Sequence, residues 1–103
     1  NYIFMNNLNS TQRSHLCSQA HHLEPIVFIG KNGITEGTLE IITKSLDALE
    51  LIKIEFHEYK DEKKSLSYQI AESTESHVVG IIGHTVILFR QNSQREKHIY
   101  KLL

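Results

Sequence analysis

The chain has almost no cysteine or proline and lacks tryptophan altogether. Cys17 is the single cysteine in 103 residues, so an internal disulfide is impossible and a four-cysteine zinc site is excluded. Cysteine usage of this kind fits a reducing, cytoplasmic setting. Without tryptophan and with 8% aromatic residues, few flat side chains are on offer for stacking against bases. No apolar run approaches the length of a membrane span. The Tyr2–Met5 cluster is too short for a signal-peptide core. Met5 is a candidate functional start, and residues 1–7 are expected to form an N-terminal extension.

Neither sign of charge dominates. The formal net charge is −1, which argues against a uniformly basic surface, but the charges are unevenly spread. Residues 55–76 carry −3 and residues 77–103 carry +3. Hydrophobic residues make up 40% and charged residues 22%, the balance of a globular protein. A chain of this size buries roughly two-thirds of its unfolded surface, enough for one core in one domain.

Local patterning predicts the elements. Asn9, Ser10 and Thr11 offer N-cap side chains, and Leu16, Ala20 and Leu23 follow at helical spacing, so a helix is read over 11–22. Pro25 ends it and opens an apolar strand, Ile26 to Ile29, of the kind covered on both faces. Thr35 caps a second helix whose Leu39, Ile42, Leu46 and Leu49 form one apolar stripe, with Glu40, Lys44 and Asp47 turned to solvent. From Leu51 to Glu58, Ile52, Ile54 and Phe56 alternate with Lys53, Glu55 and His57, a strand with one buried and one wet face. A charged turn follows over 59–64.

Ser65 to Thr74 suits either a strand or a helix. A helix is preferred, since parallel strands need a crossover between them. Val78–Ile82 and Val86–Arg90 read as a hairpin turning at Gly83-His84. The polar tail from Gln91, ending in Ile99, Tyr100 and Leu102, is expected to pair loosely or fray. The order α-β-α-β-α-β-β implies an α/β fold, a two-layer sandwich with a mixed four-stranded sheet.

The most informative stretch is Gly30-Lys31-Asn32-Gly33. A strand feeding a glycine-bracketed turn and then a helix N-terminus leaves backbone N–H groups free to meet a phosphate, with Lys31 adding a charge and Asn32 an adaptable amide. On four residues alone, an ordinary polar turn is the commoner explanation.

Three separated segments then carry a resemblance. Residues 25–37 (PIVFIGKNGITEG), 50–54 (ELIKI) and 82–90 (IGHTVILFR) resemble the CRS1/YhbY (CRM) RNA-binding domain, in the right order and across about Leu8 to Arg95. The domain is accordingly placed at 8–95 and a C-terminal tail at 96–103, and the single copy is most similar to the stand-alone bacterial YhbY proteins. The resemblance implies a fold similar to the C-terminal domain of bacterial initiation factor three. It also implies RNA binding on precursors of the large ribosomal subunit. The family's glycine loop maps onto Gly30, Lys31, Asn32 and Gly33, its lysine after the second helix onto Lys53, and its arginine ending the last strand onto Arg90. The position after Gly83, often lysine in the family, is His84 here, so a contact there would depend on pH.

Other chemistries fare poorly. Cys17, His21, His22 and Glu24 lie close in sequence but lack a partner pair at ligand spacing, so no metal is expected. Cys17 has no activating motif, Glu72 and Glu75 read as a solvated helix face, and no nucleotide fingerprint is present. The expectation is a monomeric, non-enzymatic RNA-binding domain with no cofactor and no membrane association. It would act on ribosomal RNA in large-subunit assembly through Gly30, Lys31, Asn32, Gly33, Lys53, His84 and Arg90. The rival is a protein–protein adaptor of the same fold on ribosome precursors, meeting a ribosomal protein or assembly factor through the acidic segment 55–62.

Overall fold

The computed structural model of the protein describes residues 8–100. The expectations for residues 1–7 and Leu102 lie outside it. Seven main elements run in the order expected: α1 (Ser10–Ala20), β1 (Val27–Ile29), α2 (Glu36–Leu49), β2 (Leu51–Phe56), α3 (Lys63–Thr74), β3 (His77–Ile82) and β4 (Thr85–Phe89). Local chemistry sets the helix starts. Asn9 Oδ1 accepts from the Gln12 amide while the Gln12 side chain accepts from the Asn9 amide, a reciprocal capping box. Thr35 Oγ1 accepts from the Thr38 amide at the head of α2. The ambiguous segment is helical, as preferred, and starts two residues earlier than read.

The sheet order is β1-β2-β4-β3. β1 and β2 are parallel, joined through α2, whereas β4 runs antiparallel to both of its neighbours. Ile52, Ile54 and Phe56 of β2 and Val86 and Leu88 of β4 pack against Ile42 and Leu46 of α2 and Ile70 of α3. That is the expected sandwich. On the other face α1 adds a partial cover, which a two-layer description leaves out. Leu16 and Ala20 pack there on Leu51, Val79, Ile87 and Phe89. Close approach of α1 to β3 needs Gly80, where a Cβ would stand 3.2 Å from Cys17 Sγ.

Three expectations are corrected. β1 is not covered on both faces: it is an edge strand beyond the reach of α1, and Phe28 is 53% exposed. Leu49 leaves the apolar stripe of α2 and is largely exposed, while Glu50 is completely buried. The reason is that the chain passes from α2 into β2 without a loop, turning at Glu50 with φ +66°. The third concerns the tail. The Glu50 carboxylate accepts from the amides of Asn92, Ile99 (2.7 Å) and Tyr100 (3.0 Å). The Tyr100 ring meets Phe89 edge-on at 6.5 Å. A left-handed backbone at a non-glycine residue costs about 1–2 kcal/mol, and hydrogen bonds to a charged acceptor offset it. The described part of the tail is therefore fastened to the domain.

Candidate functional site

The chain leaves β1 at Ile29 and turns at once. The Gly33 amide donates to the Gly30 carbonyl at 3.0 Å, closing a tight turn with Lys31 and Asn32 at its tip. Gly33 has φ +66°, a left-handed conformation that favours glycine. Gly30 has no such requirement. Its φ is not positive, and a Cβ added there would meet nothing within 4 Å. Glycine at 30 thus leaves a bare, open strip of backbone that the fold itself does not demand.

Both tip residues are exposed, and among the described residues their amides have no hydrogen-bond partner. Beyond the turn, Thr35 occupies the Thr38 amide, which leaves the Glu36 and Gly37 amides as the orphan donors of the α2 N-terminus. The positive end of the helix dipole points the same way, although the Glu36 carboxylate in the first turn counters part of it.

Tyr59, which the sequence reading left inside a charged turn, holds this corner. Its Oη donates to the Lys31 carbonyl at 2.7 Å, and its ring would lie 3.5 Å from a Cβ at Gly33. To do this Tyr59 adopts φ +58°. Beyond Tyr59 a hollow of about 640 Å³ is lined by Lys31 and Lys60 together with Glu58, Asp61 and Glu62. The corner is therefore open over Gly30, with carboxylates along the flank that runs from Glu58, whose amide donates to the Ile29 carbonyl, to Glu62.

Strand direction decides which other expected residues join it. Phe56, the register partner of Ile29, donates its amide to the His84 carbonyl at 2.7 Å. The Gly83-His84 turn therefore sits at the same end of the sheet as the glycine loop, with His84 exposed. Lys53 is three residues back along β2, about 10 Å. It is half-buried on the face that α1 partly covers, beside a hollow of about 410 Å³ bounded by Cys17, His21, Leu23 and Ile82.

Arg90 does not join them. β4 runs antiparallel to β1 and β2, so its C-terminal end lies at the opposite end of the sheet. There the guanidinium donates to the Thr74 carbonyl (2.7 Å) and the Thr43 carbonyl (3.1 Å) and pairs with the Asp47 carboxylate. It ties α2 to the C-terminal end of α3, where a cation also meets the negative end of a helix dipole. Cys17 packs on β3 with Sγ 4.0 Å from the Val79 carbonyl oxygen. Among the described residues no three His, Cys, Asp or Glu side chains cluster as metal ligands, and no helix is long and apolar enough to cross a membrane.

These features define an α/β domain with a mixed four-stranded sheet, three helices and an open glycine-bracketed turn between β1 and α2. The chain belongs to the CRS1/YhbY (CRM) domain family, whose model matches residues 8–90. It is 37% identical over 91 residues to the RNA-binding protein of Haemophilus influenzae, covering 92% of that protein and 87% of this chain. It is 30% identical over 91 residues to the Probable RNA-binding protein YqeI of Bacillus subtilis, covering 95% of that protein and 87% of this chain. The fold is shared with the solution structure of the hypothetical protein SAV1595 of Staphylococcus aureus: TM-score 0.77, 33% identity, 93% of this chain and 99% of that one covered. These relatives span about the same length as this chain, in keeping with the resemblance to stand-alone bacterial members.

Proposed function

We propose that this chain binds RNA without catalysing a reaction. In this reading the sugar-phosphate backbone is held at Gly30–Gly33, and the target is ribosomal RNA during assembly of the large subunit. The observation that carries the reading is the open turn: amides at Lys31 and Asn32 without a partner among the described residues, an ammonium between the glycines, and unobstructed space over Gly30. Donors of this kind suit a phosphodiester, and the RNA-binding names of two relatives support the choice of polymer. Carboxylates on the Tyr59 side repel a polyanion, so the strand would approach over Gly30 and β1, with Lys53 and the His84 turn on either side of the Glu55 carboxylate. Arg90 is left out of the contact set because its donors are already used within the fold. The ribosomal target rests on the family resemblance.

Titration against RNA at several salt concentrations tests the reading. The logarithm of affinity should fall with that of salt by about 0.7 per neutralised phosphate of a single strand. Lys31→Glu and Gly30→Ala should both weaken binding with the melting temperature unchanged, the first by reversing a charge and the second by filling the open strip. Equal affinity for parent and Lys31→Glu at low salt would remove the loop from the contact. Co-sedimentation with immature large particles in a sucrose gradient tests the ribosomal part.

A second reading has one observation in its favour. Glu58, Asp61 and Glu62 gather on one hollow, which suits a basic protein partner better than RNA. An adaptor working through that surface alone would show no salt-sensitive binding to purified RNA.

A further inference from the structure

Among the described residues, one transverse row of the sheet is left only partly covered. Phe28 is the register partner of Glu55, Glu55 of Thr85, and Thr85 of Ile82, so the four side chains cross the sheet from edge to edge on the face opposite α2 and α3. α1 covers the neighbouring part of this face and stops short of the row. The ends are apolar and open, with Phe28 53% and Ile82 64% exposed. At the Phe28 end the His57 ring lies 5.1 Å away, tilted by 46°. His57 is itself held by Glu55, Nε2 to Oε2 at 3.1 Å. Two rings thus lie side by side where the strand runs into the glycine turn.

The geometry points to Phe28, braced by His57, as a stacking site for an unpaired RNA base. This inference rests on the proposed capture of the phosphate chain at Gly30–Gly33. Phe28 lies two residues before Gly30, about 7 Å along the chain, within reach of one nucleotide. Charge separates the roles. Glu55 in the middle of the row repels a phosphate but not an uncharged base, whereas Lys31 beyond one side and Lys53 on the other attract phosphates. An aromatic face accepts any base, so the site would select for single strands over duplex rather than for sequence. Scarcity of aromatic residues suggests little stacking, but composition does not show that one of the few phenylalanines faces solvent beside the turn.

The test is a low-salt titration of the full chain with a mixed-sequence octaribonucleotide and with its abasic counterpart, which has the same phosphates and no bases. Because Phe28 is exposed, Phe28→Ala, Phe28→Leu and Phe28→Tyr should all melt with the parent. Phe28→Ala and Phe28→Leu should weaken binding of the intact oligomer by about ten-fold and leave the abasic one unaffected, while Phe28→Tyr keeps parental affinity. Equal binding of both oligomers by the parent, with Lys31→Glu weakening both, would overturn the stacking site and leave the phosphate loop standing. Failure of the parent to bind either oligomer would overturn both. A parent that sediments as a dimer and a Phe28→Ala variant that sediments as a monomer would assign the face to a second copy and overturn the inference.

Discussion

Tyr59 and Lys31, separated by 28 positions, are joined by a 2.7 Å hydrogen bond from phenol to main-chain carbonyl. The same ring backs onto Gly33. A glycine-bracketed turn is otherwise free to sample many conformations, so this contact presents the Lys31 and Asn32 amides in one arrangement. Tyr59→Phe should cost about 1 kcal/mol or less of stability, since the bond is exposed. Hydrogen exchange at Lys31, Asn32 and Gly33 should quicken while the sheet amides hold. Unchanged exchange in the turn would show that the hydroxyl does not hold it.

Glu50 is buried, strained and surrounded by donors. Glu50→Gln keeps the shape but exchanges one acceptor oxygen for an amide facing backbone N–H groups. Loss of about 2 kcal/mol is expected, together with faster exchange at Asn92, Ile99 and Tyr100. Denaturant unfolding and exchange mass spectrometry read the two effects separately.

Arg90 and Lys31 should behave in opposite ways. Arg90→Lys cannot reproduce a fork that reaches two carbonyls and a carboxylate, so about 2 kcal/mol of stability should go. RNA affinity measured well below the melting temperature should not change. A ten-fold loss of affinity in a fully folded Arg90→Lys protein would return this residue to the contact set.

Stability should depend on pH through His77. Burial lowers the pKa of its imidazole below the ordinary 6.5, and the Arg13 charge acts in the same direction. The unfolded chain then binds this proton more readily than the folded one, so acid favours unfolding. The contribution is fully present above about pH 6.5 and is lost as pH falls from there through the folded-state value. His77→Gln should show a smaller drop in melting temperature between about pH 7.5 and pH 5 than the parent does. Parallel curves for the two proteins would assign the pH dependence elsewhere.

Much of this molecule follows from its residues taken in order. The Thr35 cap, the Ile42 and Leu46 stripe, the alternation of Ile52, Ile54 and Phe56, and the Gly83 turn are local patterns, set by backbone geometry within one or two turns of chain. The glycine-bracketed corner belongs with them, because turn chemistry is written in adjacent residues. Tertiary structure decided the rest. Arg90 leaves the corner because β4 runs antiparallel, a matter of pairing between strands far apart in sequence. Phe28 faces solvent because β1 is an edge strand and α1 lies over other strands. Glu50 is buried because a segment more than 40 residues later supplies its amides. Direction, edge and burial depend on long-range pairing, and no local period in the chain encodes them.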